Sequence, residues 1–298
     1  MKKFKSISIP SFLSQVILFV FFLIAFSSCK KEETVPGNVA VPDPTIEDVT
    51  ISNYVNRVYI SVLGREPDSV EKNSGFNSLR VANLNAASRT TFLNAVFTRP
   101  DYKSHLYDLA RIDLLNNLDT QEIYLQLLTD SFALTIITDP IIIIALHDQI
   151  NHLDSLRLVP YDLQYNVIDA TGMFRRCVYN YFYDQINMGT ENFVKSVFQN
   201  FLHRSPTAFE LSQSEQMIDL GQPSILFLKS GQSKNDFIDI FFSSSDYAEG
   251  IVLNLYQRYM NRTPSSVEMS DETIVFQNTH SYEQVQKDIL AKNDYVFK

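Results

Sequence analysis

The stretch Val55-Asn-Arg-Val-Tyr-Ile-Ser-Val-Leu-Gly-Arg-Glu-Pro-Asp-Ser-Val-Glu71 decides the fold, because its pattern recurs twice more without gaps. Val55, Val58, Tyr59, Val62, Leu63, Arg65, Pro67, Asp68 and Glu71 match Val194, Val197, Phe198, Phe201, Leu202, Arg204, Pro206, Thr207 and Glu210. The same positions return as Val252, Leu255, Tyr256, Tyr259, Met260, Arg262, Pro264, Ser265 and Glu268. Apolar residues at spacings of three, four and seven write one face of an amphipathic helix. Arg65, Arg204 and Arg262 fall at the helix end, where a cation opposes the negative end of the macrodipole and can donate to free carbonyls. Proline then stops the helix. Asp68, Thr207 and Ser265 are N-cap residue types with a glutamate three places on, which makes a capping box in every copy. Each copy therefore predicts helix, tight turn, helix.

A second element follows each motif. Phe92, Phe97, Asp101 and Tyr102 match Phe237, Phe242, Asp246 and Tyr247, and the last copy has Val285, Leu290, Asp294 and Tyr295. The expected fold class is all-α: three related helix-turn-helix-helix units at 46–106, 191–249 and 250–298, packed with a helical middle segment at 107–190. Scarce glycine, 8 residues in 298, argues against a turn-rich β fold. In the middle, the β-branched run Ile141 to Leu146 follows Asp139-Pro140 and fits either a short strand or a buried helix that starts at Pro140; its surroundings favour the helix.

Working outward, the first 28 residues read as a leader. Lys2, Lys3 and Lys5 precede an apolar run from Phe12 to Phe26 that is short for a membrane span. Phe26-Ser27-Ser28-Cys29 resembles a bacterial lipobox with Phe where Leu is usual, which implies cleavage before Cys29 and acylation of its thiol by palmitate-like chains. Each buried methylene of such an anchor contributes about 0.8 kcal/mol, so two or three chains hold firmly where one does not. Lys30 is not the Asp that retains lipoproteins in the inner membrane, so an outer-membrane location is expected. Lys31, Glu32 and Glu33 resemble the short basic-then-acidic export signal of Bacteroidota lipoproteins, which implies display on the cell exterior. Residues 29–45, with Pro36, Gly37, Pro42 and Pro44, read as a flexible tether.

Removing residues 1–28 takes away three lysines and no acid, leaving 22 basic against 34 acidic residues, a net charge of −12. Such a surface repels phosphate backbones, and no basic patch with interleaved aromatics occurs, so nucleic acid is not an expected partner. With Cys29 acylated, Cys177 stands alone. It is either a nucleophile beside Arg175 and Arg176 or, as its aromatic helical setting favours, a buried small hydrophobe.

Val58-Tyr59-x-x-Val62-Leu63-Gly64-Arg65-Glu66-Pro67-Asp68, with Ser88-Arg89 and Arg99-Pro100-Asp101-Tyr102, resembles the helical repeat of unknown function whose hallmark is a Leu-Gly-Arg-x-x-Asp turn. Copies of that repeat occur in secreted, S-layer-associated and other surface proteins. His203 and Asn261 replace the glycine in the second and third copies, and the resemblance covers about half the chain. It implies a helical surface module in contact with carbohydrate or envelope, and no enzyme activity.

Candidate chemistry is sparse. His147 and His152, with Asp148 and Asp154, ligate a metal only if a turn gathers them; otherwise they are surface histidines on a helix. Asp236 with Asp239, or Glu66 with Asp68, suit glycoside chemistry only across a cleft. Arg65, Arg204 and Arg262 either line one face and bind acidic sugars or, as the capping logic favours, close their own turns. No catalytic residue, cofactor or metal is expected. The leading expectation is a non-catalytic surface lipoprotein, a binding or scaffolding module for envelope glycan or a partner protein. The alternatives are an accessory subunit of an outer-membrane secretion, motility or uptake complex, and a hydrolase with its site at His147–Asp154 or Arg175–Cys177.

Overall fold

The apolar spacing of the first motif places Tyr54, Val55, Val58 and Val62 on one side of α1 (Asp48–Leu63), and all four are buried. The structure, a computed structural model, describes residues 47–298. The leader 1–28, Cys29, Lys30, Lys31, Glu32, Glu33 and the tether 29–45 lie outside the described residues. Among these residues the fold is all-α, with 16 helices and a single two-stranded hairpin.

The first motif supplies α1, α2 (Ser69–Val81), α3 (Ala86–Phe97) and the start of α4 (Pro100–Leu115). The middle holds α5 (Thr120–Ile136), α6 (Pro140–Arg157), α7 (Val159–Gln164), α8 (Ala170–Val178) and α9 (Tyr181–Ile186). The second motif gives α10 (Thr190–Leu202), α11 (Ala208–Asp219), β1 (Ser224–Leu226), β2 (Lys229–Gly231) and α12 (Lys234–Phe242). The third gives α13 (Ser245–Met260), α14 (Ser266–Thr279), α15 (Tyr282–Leu290) and α16 (Asn293–Val296).

Boundaries expected at 106/107 and 249/250 fall inside α4 and α13, which run on unbroken. The Asp-Tyr element that ends one motif is thus the first turn of the next helix. Ile46–Lys298 accordingly forms one unit.

The two ends of that unit close on each other. Tyr54 Oη donates to the Leu290 carbonyl at 3.2 Å, and Arg57 Nη2 donates to the carbonyls of Tyr295 and Val296, both at 2.8 Å. Arg89 Nη1 donates to Asn293 Oδ1 at 2.8 Å. A buried chain of polar groups joins the first and third motifs: Tyr102 Oη donates to Gln286 Oε1 and Gln286 Nε2 donates to Tyr259 Oη, both at 2.6 Å. Around α10, α12 and α13 the core is aromatic, with Phe201 packed edge-on to Phe241, Phe242 and Tyr247. Gly250 permits the closest helix approach, since a Cβ there would stand 1.9 Å from the Phe201 carbonyl oxygen.

Two expectations are corrected. The second motif does not lead directly from helix to helix: β1 pairs antiparallel with β2, Ser224 opposite Gly231 and Leu226 opposite Lys229. Its turn residues Phe227 and Leu228 both have positive φ, 46° and 63°, where bulky side chains are strained. The Phe227 ring stacks on Phe198, and this packing holds the turn. The run after Asp139 is a helix with Pro140 in its first turn, yet it is not buried: Ile141 is 79% and Ile144 70% exposed.

Candidate functional site

Three regions concentrate side-chain chemistry, beginning with the motif turns. Each aromatic helix ends on a left-handed residue, Gly64 at φ 70°, His203 at 53° and Asn261 at 54°. Gly64 is doubly constrained, because a Cβ there would stand 2.4 Å from His105 Nδ1. The next residue is the arginine, and each arginine makes the same set of bonds. Arg65 donates to both carboxylate oxygens of Glu71, at 2.7 and 2.9 Å, and through Nε to Asp101 at 2.7 Å. Arg204 donates to Glu210 at 2.8 and 2.7 Å and to Asp246 at 2.9 Å. Arg262 donates to Glu268 at 2.8 and 2.7 Å and to Asp294 at 2.8 Å.

The glutamate completes the capping box from the other side. Glu71, Glu210 and Glu268 accept from the backbone N–H of Asp68, Thr207 and Ser265, while those N-cap side chains accept from the glutamate N–H. The guanidinium lies over an aromatic ring of its own helix in each copy: Tyr59 at 5.7 Å, Phe198 at 5.1 Å, Tyr256 at 5.1 Å. Such charge-assisted, bidentate bonds are the strong class of hydrogen bond. The Arg65 guanidinium, foremost, holds the Glu71 carboxyl down to about 2. Burial alone pushes Glu210 upward, but Arg204 and Thr207 outweigh it and the net direction is down. Glu268 lies well below the usual carboxylate range, chiefly through Arg262. Asp101, Asp246 and Asp294 are recurrent in the sequence, but their role as the second carboxylate on each arginine was not read there.

The second region is a groove of about 450 Å³ beside the first turn, between α2 and α3. Ser74, Ser78, Ser88 and Thr91 line its sides, and Glu71 and Arg99 its end. Arg99 Nη1 pairs with Glu71 Oε1 at 2.6 Å, so that carboxylate is shared between two arginines.

The third is the outer face of the α5–α6 pair. α5 lies along α6, which rests on α7, α8 and α9. Tyr124, Leu125, Leu128, Phe132 and Ile136 of α5 are exposed, as are Ile141, Ile142 and Ile144 of α6. Inside, the pair holds a carboxylate: Asp130 is buried and accepts from Gln126 Nε2 and Gln149 Nε2, each at 2.8 Å. No Lys or Arg occurs between Arg111 and Arg157, whereas Asp119, Glu122, Asp139 and Asp148 are exposed along the pair.

Other sequence candidates are engaged locally. His147 and His152 lie on α6, with the His152 ring tilted against Tyr179 at a centroid distance of 4.0 Å and His152 Nδ1 3.5 Å from Asp148. No group of three or more His, Cys, Asp or Glu is placed to hold a metal ion among the described residues. Asp236 accepts from the Gln232 N–H at 2.8 Å, and Asp239 pairs with Arg175. Arg176 pairs with Asp162 at 2.6 Å. Cys177 is fully buried and its thiol is pushed up to about 12 by that burial, so no thiolate forms near neutral pH. Asp68 serves as N-cap and Glu66 points to solvent. Among the described residues no helix is long and apolar enough to cross a membrane.

No protein-family model matches the chain, and neither a curated protein nor a solved structure matches it.

Proposed function

We propose that the chain is a non-catalytic lipoprotein, anchored through Cys29 in the outer membrane and facing outward, whose helical body docks a partner protein. In this reading the three motifs are copies of one helix-turn-helix-helix unit that builds a rigid support. The observation that carries the reading is the exposed apolar face of α5 and α6. Contiguous apolar surface of this kind on a soluble domain marks an interaction site. Asp119, Glu122, Asp139 and Asp148 are exposed along it, and Arg157, beside Tyr124 and Leu125, is already paired with Asp154 at 2.6 Å, so an anionic lipid surface would be repelled and a second copy of the same face would meet like charge. A partner protein with an apolar groove and a basic rim complements it. An accessory subunit of an outer-membrane secretion, motility or uptake complex has these requirements.

The test compares the native mass of the detergent-solubilised wild type with that of the Phe132→Asp, Ile144→Asp double variant. The wild type is expected in an assembly of fixed stoichiometry, and the variant as a monomer. Co-migration of both in the same assembly overturns the docking face. If the purified full chain dimerises on its own and the variant splits that dimer, the occupant is a second copy and the partner reading fails. Protease accessibility on intact cells, with and without Lys31, Glu32 and Glu33 changed to Ala, checks the outward location.

A further inference from the structure

The three motif turns carry nearly identical bonds but differ in what lies beside them. The motif register places Gly75, Ser214 and Glu272 at one position, four residues beyond the capping glutamate. It places Arg99, Ser244 and Lys292 at a second position, two residues before the Asp-Tyr aspartate. In the third copy the space is filled from within: the Glu272 carboxylate, almost fully buried, pairs with Lys292 Nζ at 3.0 Å, and Gln284 donates to Asp288 at 2.9 Å. In the second copy the β1–β2 hairpin fills it, laying Phe227 on Phe198 and Phe241, with ring centroids 5.9 and 6.1 Å apart. These rings correspond to Tyr59 and Val96, which line the groove of the first copy. Among the described residues, the space stays open only in the first copy.

The filled copies say what the open one lacks. Gly75 stands where the third copy has its carboxylate, and Arg99 stands where that carboxylate finds its cation. The described residues give Arg99 no carboxylate of its own, since Glu71 also holds Arg65. The groove hydroxyls add a second requirement. Ser78 donates to the Gly75 carbonyl at 2.9 Å, Ser88 to Asn85 at 2.8 Å and Thr91 to Ala87 at 3.0 Å. Their protons are committed and their lone pairs remain, so they accept from a ligand that brings its own hydroxyl donors. Phe92 and Val96 supply an apolar wall.

We infer that the groove between α2 and α3 binds an acidic sugar, its carboxylate on Arg99 in the place that Glu272 takes on Lys292. Ring hydroxyls donate to Ser78, Ser88 and Thr91, and the apolar ring face lies against Phe92. This site is separate from the docking face of α5 and α6, and it stands or falls independently of that reading.

The experiment titrates the full chain, in detergent, with glucuronate, glucose and hexanoate by calorimetry. Glucose lacks the carboxylate and hexanoate lacks the hydroxyls, so each is expected to bind at least about tenfold more weakly than glucuronate. Arg99→Gln is expected to abolish glucuronate binding while Glu71 keeps its bonds to Arg65. The double variant Gly75→Glu, Phe92→Val copies both residues of the third copy; the second change makes room, because a Cβ at position 75 would stand 2.8 Å from the Phe92 ring. It is expected to fill its own groove and lose binding while remaining folded, as far-UV circular dichroism reads. Failure of glucuronate to saturate the wild type overturns the inference, as does undiminished binding by the folded Arg99→Gln or double variant. Equal binding of hexanoate overturns the sugar assignment.

Discussion

The motif turns and the α5–α6 pair use the same residue types in opposite senses. In the turns, aromatic side chains such as Tyr59 and Tyr256 are buried, and arginines meet carboxylates at the edge of the core. In the α5–α6 pair a carboxylate, Asp130, is inside and Phe132, Ile141 and Ile144 are outside. In each turn the arginine finds both of its carboxylates within its own unit, so the turn is held from inside. A helix pair that turns its apolar side to solvent is completed only by another surface. The contrast separates what holds this protein together from what it presents.

The largest loss is expected on removing the carboxylate that two arginines share. Glu71→Ala leaves Arg65 and Arg99 without their common partner and removes half of the capping box, which costs about 3 kcal/mol. The midpoint of urea unfolding reads this directly. Protonating the same groups comes next. The unfolded chain takes up a proton at Glu71 near its ordinary pKa of 4.5, whereas the folded chain holds out to about 2. The stabilisation from this group is therefore complete above about pH 4.5 and is lost as pH falls toward 2. Glu210 and Glu268 are shifted in the same direction and steepen that loss. Unfolding free energies measured from pH 6 to pH 2 are expected to fall, with a shallower slope in Glu71→Gln.

Within the hairpin of helices, Asp130→Ala leaves the amides of Gln126 and Gln149 without their acceptor and costs about 1–2 kcal/mol. The smallest effect is the most telling. Phe132→Asp, an apolar-to-charged change that would be ruinous at Tyr59, is expected to leave stability within about 0.5 kcal/mol of wild type. A large loss in Phe132→Asp would show that the face is structural and erase the contrast.

The turns were legible because their determinants are local. Asp68 and Glu71, Thr207 and Glu210, Ser265 and Glu268 sit three residues apart, and each pair forms the reciprocal capping bonds that the spacing implies. The second carboxylate on each arginine was not legible as such. Asp101, Asp246 and Asp294 stand 36, 42 and 32 residues away from the arginines they meet, a separation that no local rule bridges. Arg99 was visible only within the Arg99-Pro100-Asp101-Tyr102 segment that carries the family resemblance, and the groove it closes depends on how α2 and α3 pack. The β1–β2 turn was hidden because Phe227 and Leu228 are the wrong residues for positive φ, and it is the tertiary packing of the Phe227 ring on Phe198 and Phe241 that holds it.

The run at Ile141 misled for an instructive reason. Composition reports that a segment is apolar, and burial is the ordinary fate of apolar segments, but exposure is set by what packs over it. By itself the sequence determined the helices, their caps and the arginine-bearing turns, since periodicity and capping act over three to seven residues. Tertiary structure alone decided that α1 closes on α15 and α16, that one groove of three stays open, and that α5 and α6 turn their apolar face outward. Each of these depends on contacts between residues far apart in the chain.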